Sequence, residues 1–276
     1  MTKTVLITGC SSGIGRTLAV RLHEKGYRVY ASARSPDKIT ALSDLGIKPL
    51  QLDVTSAASI EAALSTIRAN GDHVDWLINN AGYGAMGPLA EMPQAEIDRQ
   101  FATNLYGPLA LVRALVPDMK AHGGGRIVNI GSVSGILVTP FSGIYCATKA
   151  ALHAASDALR MELAPFNIEV IVIQPGAIES EFGANAEASL TRTFSAKSLY
   201  SGVRDSVLKR ARASQHNPTS AEDFVATILK FLEQPRPAAI LRAGNGSRAF
   251  PAMANWLPVP VRDWALKRAF GLNRHL

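Results

Sequence analysis

Short runs of β-branched and aliphatic residues alternate with longer stretches of helical periodicity from the start of the chain to about position 241. The runs at 4–8, 28–32, 48–52, 76–79, 126–131, 169–174 and 239–241 read as strands. Ile127-Val128-Asn129-Ile130 and Val170-Ile171-Val172-Ile173 are nearly all apolar, the pattern of central strands covered on both faces. Helices are expected to begin near Ile14, Asp37, Ser56, Gln94, Ile144 and Ser220, with a further apolar helix over 105–119. Ser56 and Ser220 are expected N-caps. Strand and helix in strict alternation predict an α/β fold: a three-layer, doubly wound, seven-stranded parallel sheet with helices on both faces. No linker or repeat divides the chain, so positions 1–276 read as one domain. Two stretches break the rhythm. Positions 179–217, rich in Ala and Ser, read as a substrate loop or lid, with a pair of surface helices as the alternative. Positions 245–276 form a C-terminal extension.

Composition narrows this picture. With 276 residues, 47% hydrophobic and 18% charged, the chain can bury a sizeable core and is not of the disordered class. Met1-Thr2-Lys3 leads into a strand pattern rather than a secretory leader, and no apolar run is long enough to span a bilayer. A cytoplasmic protein is therefore expected. Cys10 and Cys146 lack metal-ligand spacing and are expected as reduced thiols, with no metal site. The net charge is +7, of which +6 lies from Arg236 onward, so the body is close to neutral and no nucleic-acid motif accompanies the basic tail. Nucleic acid is not an expected partner. The tail mixes its cations with Phe250, Trp256, Trp264 and Phe270. Projected as one helix, 261–270 has its apolar arc interrupted by Arg262 and Arg268, so a lid or a subunit contact is expected rather than membrane association.

The chemistry begins where the first strand ends. Thr8-Gly9-Cys10-Ser11-Ser12-Gly13-Ile14-Gly15 joins strand to helix, the position where a dinucleotide pyrophosphate meets glycine backbone and a helix N-terminus. Gly9, Ser11, Ser12, Gly13, Ile14 and Gly15 are its expected cofactor contacts. After the second strand the chain reads Tyr30-Ala31-Ser32-Ala33-Arg34, with no acid to hold a ribose diol. Arg34, helped by Ser12, suits a 2′-phosphate, which favours NADP(H) over NAD(H). Asp53 and Val54 after the third strand, and Asn80, Ala81 and Gly82 after the fourth, complete the expected adenine and ribose side. Tyr145 and Lys149 lie four residues apart on an expected helix and so share a face, with Ser132 upstream.

Jointly these residues resemble the short-chain dehydrogenase/reductase family, and more loosely its members acting on hydroxysteroids, retinoids and other apolar alcohols. The likeness runs through Thr8-Gly9-x-x-x-Gly13-x-Gly15, Asn79-Asn80-Ala81-Gly82, Asn104, Ser132, Tyr145-x-x-x-Lys149 and Pro175-Gly176, over roughly positions 3–245. It implies Tyr145 as acid/base, Ser132 as partner of the substrate oxygen, and Lys149 as binder of the nicotinamide ribose. Asn104 would hold a water in a relay to Lys149. Pro175, Gly176, Ile178 and Ser180 are then expected at the nicotinamide end, and Met86, Val138, Phe141 and 182–199 as apolar pocket walls or core. A phenol near pKa 10 must fall by about 3 pH units to work at neutrality, roughly 4 kcal/mol. One ammonium about 4 Å away at an effective dielectric near 20 would supply about that much. The expected activity is hydride transfer between the nicotinamide and a hydrophobic alcohol/carbonyl substrate, with a non-catalytic NADP-sensing regulator as the alternative. The resemblance also implies a homo-oligomer, dimer or tetramer, paired through helices at 105–119 and 147–158.

Overall fold

Alternate side chains of the strands feed two separate cores, which is what makes this sheet a middle layer. A computed structural model describes residues 2–275; Met1 and Leu276, the ends of the expected domain, lie outside the described residues. The strands are β1 Thr4–Ile7, β2 Arg28–Ala33, β3 Lys48–Gln51, β4 Trp76–Asn79, β5 Gly125–Ile130, β6 Ile168–Pro175 and β7 Ile240–Ala243. All pairings are parallel, in the order β3-β2-β1-β4-β5-β6-β7. Val5, Ile7, Val128, Ile171 and Ile173 point into one core, closed by helices α1 (Gly13–Glu24) and, near the C-terminus, Ala221–Leu232. Leu6, Leu77, Ile127 and Val170 point into the other, closed by α2 (Ala57–Ala69) and by the helices Gly107–Ala121 and Gly143–Leu163. The period of two thus serves both faces, as the uninterrupted apolar strands require.

Strand order reverses between β1 and β4, and the crevice of such a sheet opens at the carboxyl ends of those strands. Thr8 closes the switch point: its Oγ1 accepts the backbone N–H groups of Asn80 and Ala81, both at 3.0 Å. Ser56 and Ser220 cap their helices as expected, accepting from Ser59 N at 3.2 Å and Asp223 N at 3.0 Å.

Three expectations are corrected. The helix expected near Asp37 is a pair of 3-10 segments, Pro36–Lys38 and Thr40–Leu45. Thr40 and Ser43 bond back to Pro36 O (3.1 Å) and Thr40 O (2.6 Å), and Gly46 ends the segment at φ 84°. Side-chain competition of this kind favours short turns over a helix. The apolar helix expected from 105 starts two residues later. Helix α3 (Gln94–Phe101) runs through a π-helical turn, Ala102–Tyr106, into α4 (Gly107–Ala121), and Asn104 sits in that turn. Positions 179–217 form a pair of helices, the alternative to a loop, though one that is partly buried rather than on the surface. After α5 (Gly143–Leu163), the helices α6 (Phe182–Thr193) and α7 (Arg204–Ala211) pack Leu190, Val203 and Val207 against Met86, Phe141 and Tyr145.

Helix α8 (Ala221–Leu232) precedes β7, and the extension forms two helices, α9 (Ala249–Trp256) and α10 (Val259–Ala269). Phe270 and Leu272, just past α10, rest on the cluster that contains Tyr145. No described helix is long and apolar enough to cross a membrane.

Candidate active site

The glycine turn is built from close approaches. Gly9 has φ 75°, and a Cβ there would stand 2.8 Å from Ala81 Cα; a Cβ on Gly15 would meet Gly9 O and Asn80 Nδ2, each at 2.4 Å. The Asn80 amide donates to Thr8 O (2.9 Å) and Gly9 O (3.0 Å), so this side chain braces the turn. Helix α1 has no acid in its first turn, and the Ser12 hydroxyl makes no capping bond. Its first N–H groups therefore face the crevice with the positive end of the helix dipole uncompensated, which fits an anionic pyrophosphate.

The residues expected at the nicotinamide end are brought to the same place. A Cβ on Gly13 would lie 3.0 Å from Ser180 Cβ, so the segment after β6 touches the turn. That segment is held from the far side. Ala177 N donates to Asn245 O at 2.8 Å, and a Cβ on Gly176 would meet Asn245 O at 1.9 Å. The side chains of Ile178 and Val54 are buried in the two cores. Arg34 is exposed at the end of β2, with no carboxylate in ion-pair range among the described residues. Asp53 at the end of β3 uses Oδ1 to accept from Thr55 N (2.9 Å) and Thr55 Oγ1 (2.7 Å).

Asn104 and Lys149 meet beside Gly82, and Tyr145 lies next to Lys149 and bonds Ser132. All four are buried, Tyr145 at 7% exposure and Lys149 at 6%. A Cβ on Gly82 would stand 3.1 Å from Asn104 Oδ1 and 3.7 Å from Lys149 Nζ. Asn104 accepts from Tyr83 N (3.1 Å) and donates to Tyr83 O (2.9 Å) and Thr148 Oγ1 (3.1 Å). Its side chain thus clamps the β4 loop to α5, and the π-helical turn is what aims it there. Lys149 Nζ donates to Ile130 O at 2.7 Å, and Ser132 Oγ accepts from Ser134 N at 3.0 Å.

The electrostatic expectation for this pair is corrected. Burial pushes the Tyr145 phenol up to about 12, opposed by a bond with Ser132 and by the charge of Arg210 on α7, while Cys146 adds to the rise. Burial also pulls the Lys149 ammonium down to about 8. Its Nζ lies 5.9 Å from the Tyr145 ring centroid. The protein's own groups therefore leave the phenol protonated, because desolvation of a phenolate outweighs a cation that is itself desolvated.

Sequence reasoning missed His153. Its Nε2 accepts the Ser132 backbone N–H at 3.4 Å, and burial and Lys149 together hold the imidazole down at about 4, neutral at physiological pH. It also explains Gly131: a Cβ there would lie 2.4 Å from His153 Nε2, and one on Gly135 2.7 Å from the same ring. The two glycines flanking Ser132 were the available signal. Cys10 and Cys146 are free and buried, and burial pushes the Cys10 thiol up to about 12, so it is inert as a nucleophile.

Over Tyr145 lies an apolar roof. Phe182 tilts against its ring at a centroid distance of 5.3 Å, and Phe141 meets Tyr200 and Phe270 edge-on at 5.9 and 6.0 Å. Phe141 holds a left-handed φ of 64°, while its carbonyl accepts from Gly87 N at 2.8 Å. Val138, also expected as a wall, is 58% exposed and lies outside this buried cluster.

Residues 3–191 match the profile of the short chain dehydrogenase family. The chain belongs to the short-chain dehydrogenase/reductase family. It is 36% identical to retinol dehydrogenase 8 of Bos taurus over 91% of this chain and 84% of that protein. It is 32% identical to 3-ketodihydrosphingosine reductase of Bacteroides thetaiotaomicron over 98% of both. Among solved structures it is similar to the closed form of a serine dehydrogenase complexed with NADP+, with TM-score 0.74 and 26% identity over 89% of this chain and 96% of that one. As a short-chain dehydrogenase/reductase the chain is an oxidoreductase using a nicotinamide cofactor, and its uncapped α1 and glycine turn suit that group.

Proposed function

We propose that the protein is an NADP(H)-dependent oxidoreductase interconverting a hydrophobic alcohol and its carbonyl compound, with Tyr145 as the acid/base. The observation that carries this reading is the burial together of Ser132, Tyr145 and Lys149, with Lys149 Nζ 3.7 Å from where a Cβ on Gly82 would stand. Bound there, the nicotinamide supplies hydride transfer and, when oxidised, a positive charge. Ser132 orients the substrate oxygen, and Tyr145 gives or takes the proton at that oxygen. Lys149, with a pKa near 8, holds a positive charge at neutral pH that favours phenolate, and beside Gly82 it would hold the nicotinamide ribose. Asn104 keeps Tyr83 and Thr148 in register, and so the β4 loop against α5.

Arg34 supports NADP(H) over NAD(H), since an unpaired guanidinium at the end of β2 matches a 2′-phosphate and no acid competes with it. Ser12, with its hydroxyl free of a cap, is a second contact for that phosphate. Apolar substrate class rests on the roof of Met86, Phe141, Phe182 and Leu190, and agrees with relatives named for retinol and 3-ketodihydrosphingosine. The proposal includes a homodimer or homotetramer paired through α4 and α5. A panel of aldehydes and ketones of increasing chain length, followed by NADPH absorbance, tests the reading. It requires kcat/KM to rise with apolar length; turnover confined to small polar carbonyls would overturn the substrate class.

A further inference from the structure

The C-terminal extension is anchored by the residues just past α10 and leaves the elbow between its two helices bare. Inward, Phe270 packs edge-on against Phe141, and a Cβ on Gly271 would lie 3.3 Å from Val203. Outward, the chain turns between α9 and α10 at Leu257-Pro258, and the elbow leaves Trp256 84% exposed, Val259 57%, Val261 48% and Trp264 65%. Isolated exposed aliphatics are ordinary, but two tryptophans and two valines within nine residues make a patch that needs a partner.

On α10, Val261, Trp264, Lys267 and Arg268 follow at i, i+3, i+6 and i+7 and are all exposed, so one face is apolar at the elbow and basic beyond it. Of the two arginines that interrupt an apolar arc over 261–270, Arg262 is half-buried and reaches Asp263 at 4.0 Å, off this face, while Arg268 lies at its basic end. Asp263 is the sole acid from Arg236 onward.

We propose that this outward face docks on an anionic lipid bilayer, with Trp256 and Trp264 in the interfacial layer and Lys267 and Arg268 at the headgroups. Tryptophan suits that layer because its ring is apolar and its N–H is wet, and long basic side chains reach up to phosphate from an apolar neighbour. Charge selects the bilayer over a second copy of the chain, since a two-fold pairing through this face would set two basic tails against each other, whereas anionic headgroups neutralise both. Just past α10, Phe270 and Leu272 rest on the Tyr145 cluster. Resting on the proposed function, docking would therefore place the site where a bilayer-dissolved alcohol or carbonyl compound is concentrated.

The full-length protein loaded with NADP(H) is sedimented with phosphatidylcholine vesicles and with phosphatidylcholine–phosphatidylglycerol vesicles. Pelleting with the anionic vesicles is expected, weaker in high salt, with a blue shift of tryptophan emission, since Trp76 is already buried and only the elbow tryptophans can change environment. Trp256→Glu/Trp264→Glu should remain in the supernatant at an unchanged thermal midpoint. Lys267→Glu/Arg268→Glu should bind at least about 25-fold more weakly, about fivefold for each cation removed. The proposal is overturned if the wild type stays in the supernatant with anionic vesicles, or if the tryptophan variant pellets equally well. It is also overturned if that variant instead lowers the oligomeric mass in ultracentrifugation, which would make the elbow a subunit contact. Vesicle binding is read without turnover, so a failure here and a failure of the oxidoreductase reading are separately visible.

Discussion

Lys149 should weaken the fold it serves. Its ammonium is 6% exposed, has no carboxylate partner among the described residues, and has its pKa pulled from 10.5 to about 8 by burial. At about 1.4 kcal/mol per pH unit, that fall costs the native state about 3 kcal/mol at pH 7. Lys149→Met keeps the length of the side chain and removes the charge, but forfeits the bond to Ile130 O, worth about 1 kcal/mol. A net gain of about 2 kcal/mol is expected near neutrality, together with loss of turnover. The sign depends on pH. With a depressed folded pKa, the wild-type unfolded state binds more protons between pH 8 and 10.5, so wild-type stability rises with pH across that window and is lost as pH falls through 8. Above it the lysine is neutral in both states, and only the lost hydrogen bond remains, so the variant becomes the less stable protein. Urea unfolding of both proteins without cofactor, at pH 7 and again near pH 11, measures this. A variant less stable than wild type by the same amount at both pH values would refute the reasoning.

Arg34→Asp should raise the KM for NADPH at least tenfold and tighten NAD(H), because it removes charged hydrogen bonds of about 1.5–3 kcal/mol each and adds a ribose acceptor; steady-state titration of both cofactors checks it. Gly131→Ser should lower the unfolding midpoint and impair Ser132, since its Cβ would fall 2.4 Å from His153 Nε2, and His153→Ala in the same chain should relieve the clash, as a double-mutant cycle would show. Asp72→Asn should cost about 1–2 kcal/mol in chemical denaturation. That carboxylate is buried, yet Tyr30, Lys48 and Arg28 hold its pKa below the usual range; removing its charge weakens those hydrogen bonds, while the half-exposed Lys48 and Arg28 regain water.

The strands were legible because a sheet covered on both faces needs unbroken apolar runs, and each of the seven observed strands overlaps an expected one within one or two residues. The segment after Arg34 was not, because Thr40 and Ser43 spend their hydroxyls on local carbonyls, a competition that periodicity does not record. The glycine turn was legible in full, since Gly9 and Gly15 answer to steric limits that hold in any fold of this kind. Asn104 was found by resemblance, but the π-helical turn that aims it has no signal in residue type. His153 was missed because its only signal, Gly131 and Gly135 around Ser132, lies 22 and 18 residues away in sequence and meets it only after folding. The pKa balance was misjudged for a similar reason. Charge separation can be guessed from spacing on a helix, whereas the desolvation of Tyr145 comes from Phe182, Met86 and Phe141 on other elements.

The proton role of Tyr145 is tested most directly by following NADPH oxidation with a long-chain ketone in wild type and Tyr145→Phe, with NADPH binding and the thermal midpoint measured on the same samples. The account predicts that Tyr145→Phe binds NADPH and unfolds as wild type does but turns over at least about 100-fold more slowly, the lower bound expected when a general acid/base is removed. Turnover within a few-fold of wild type would contradict it.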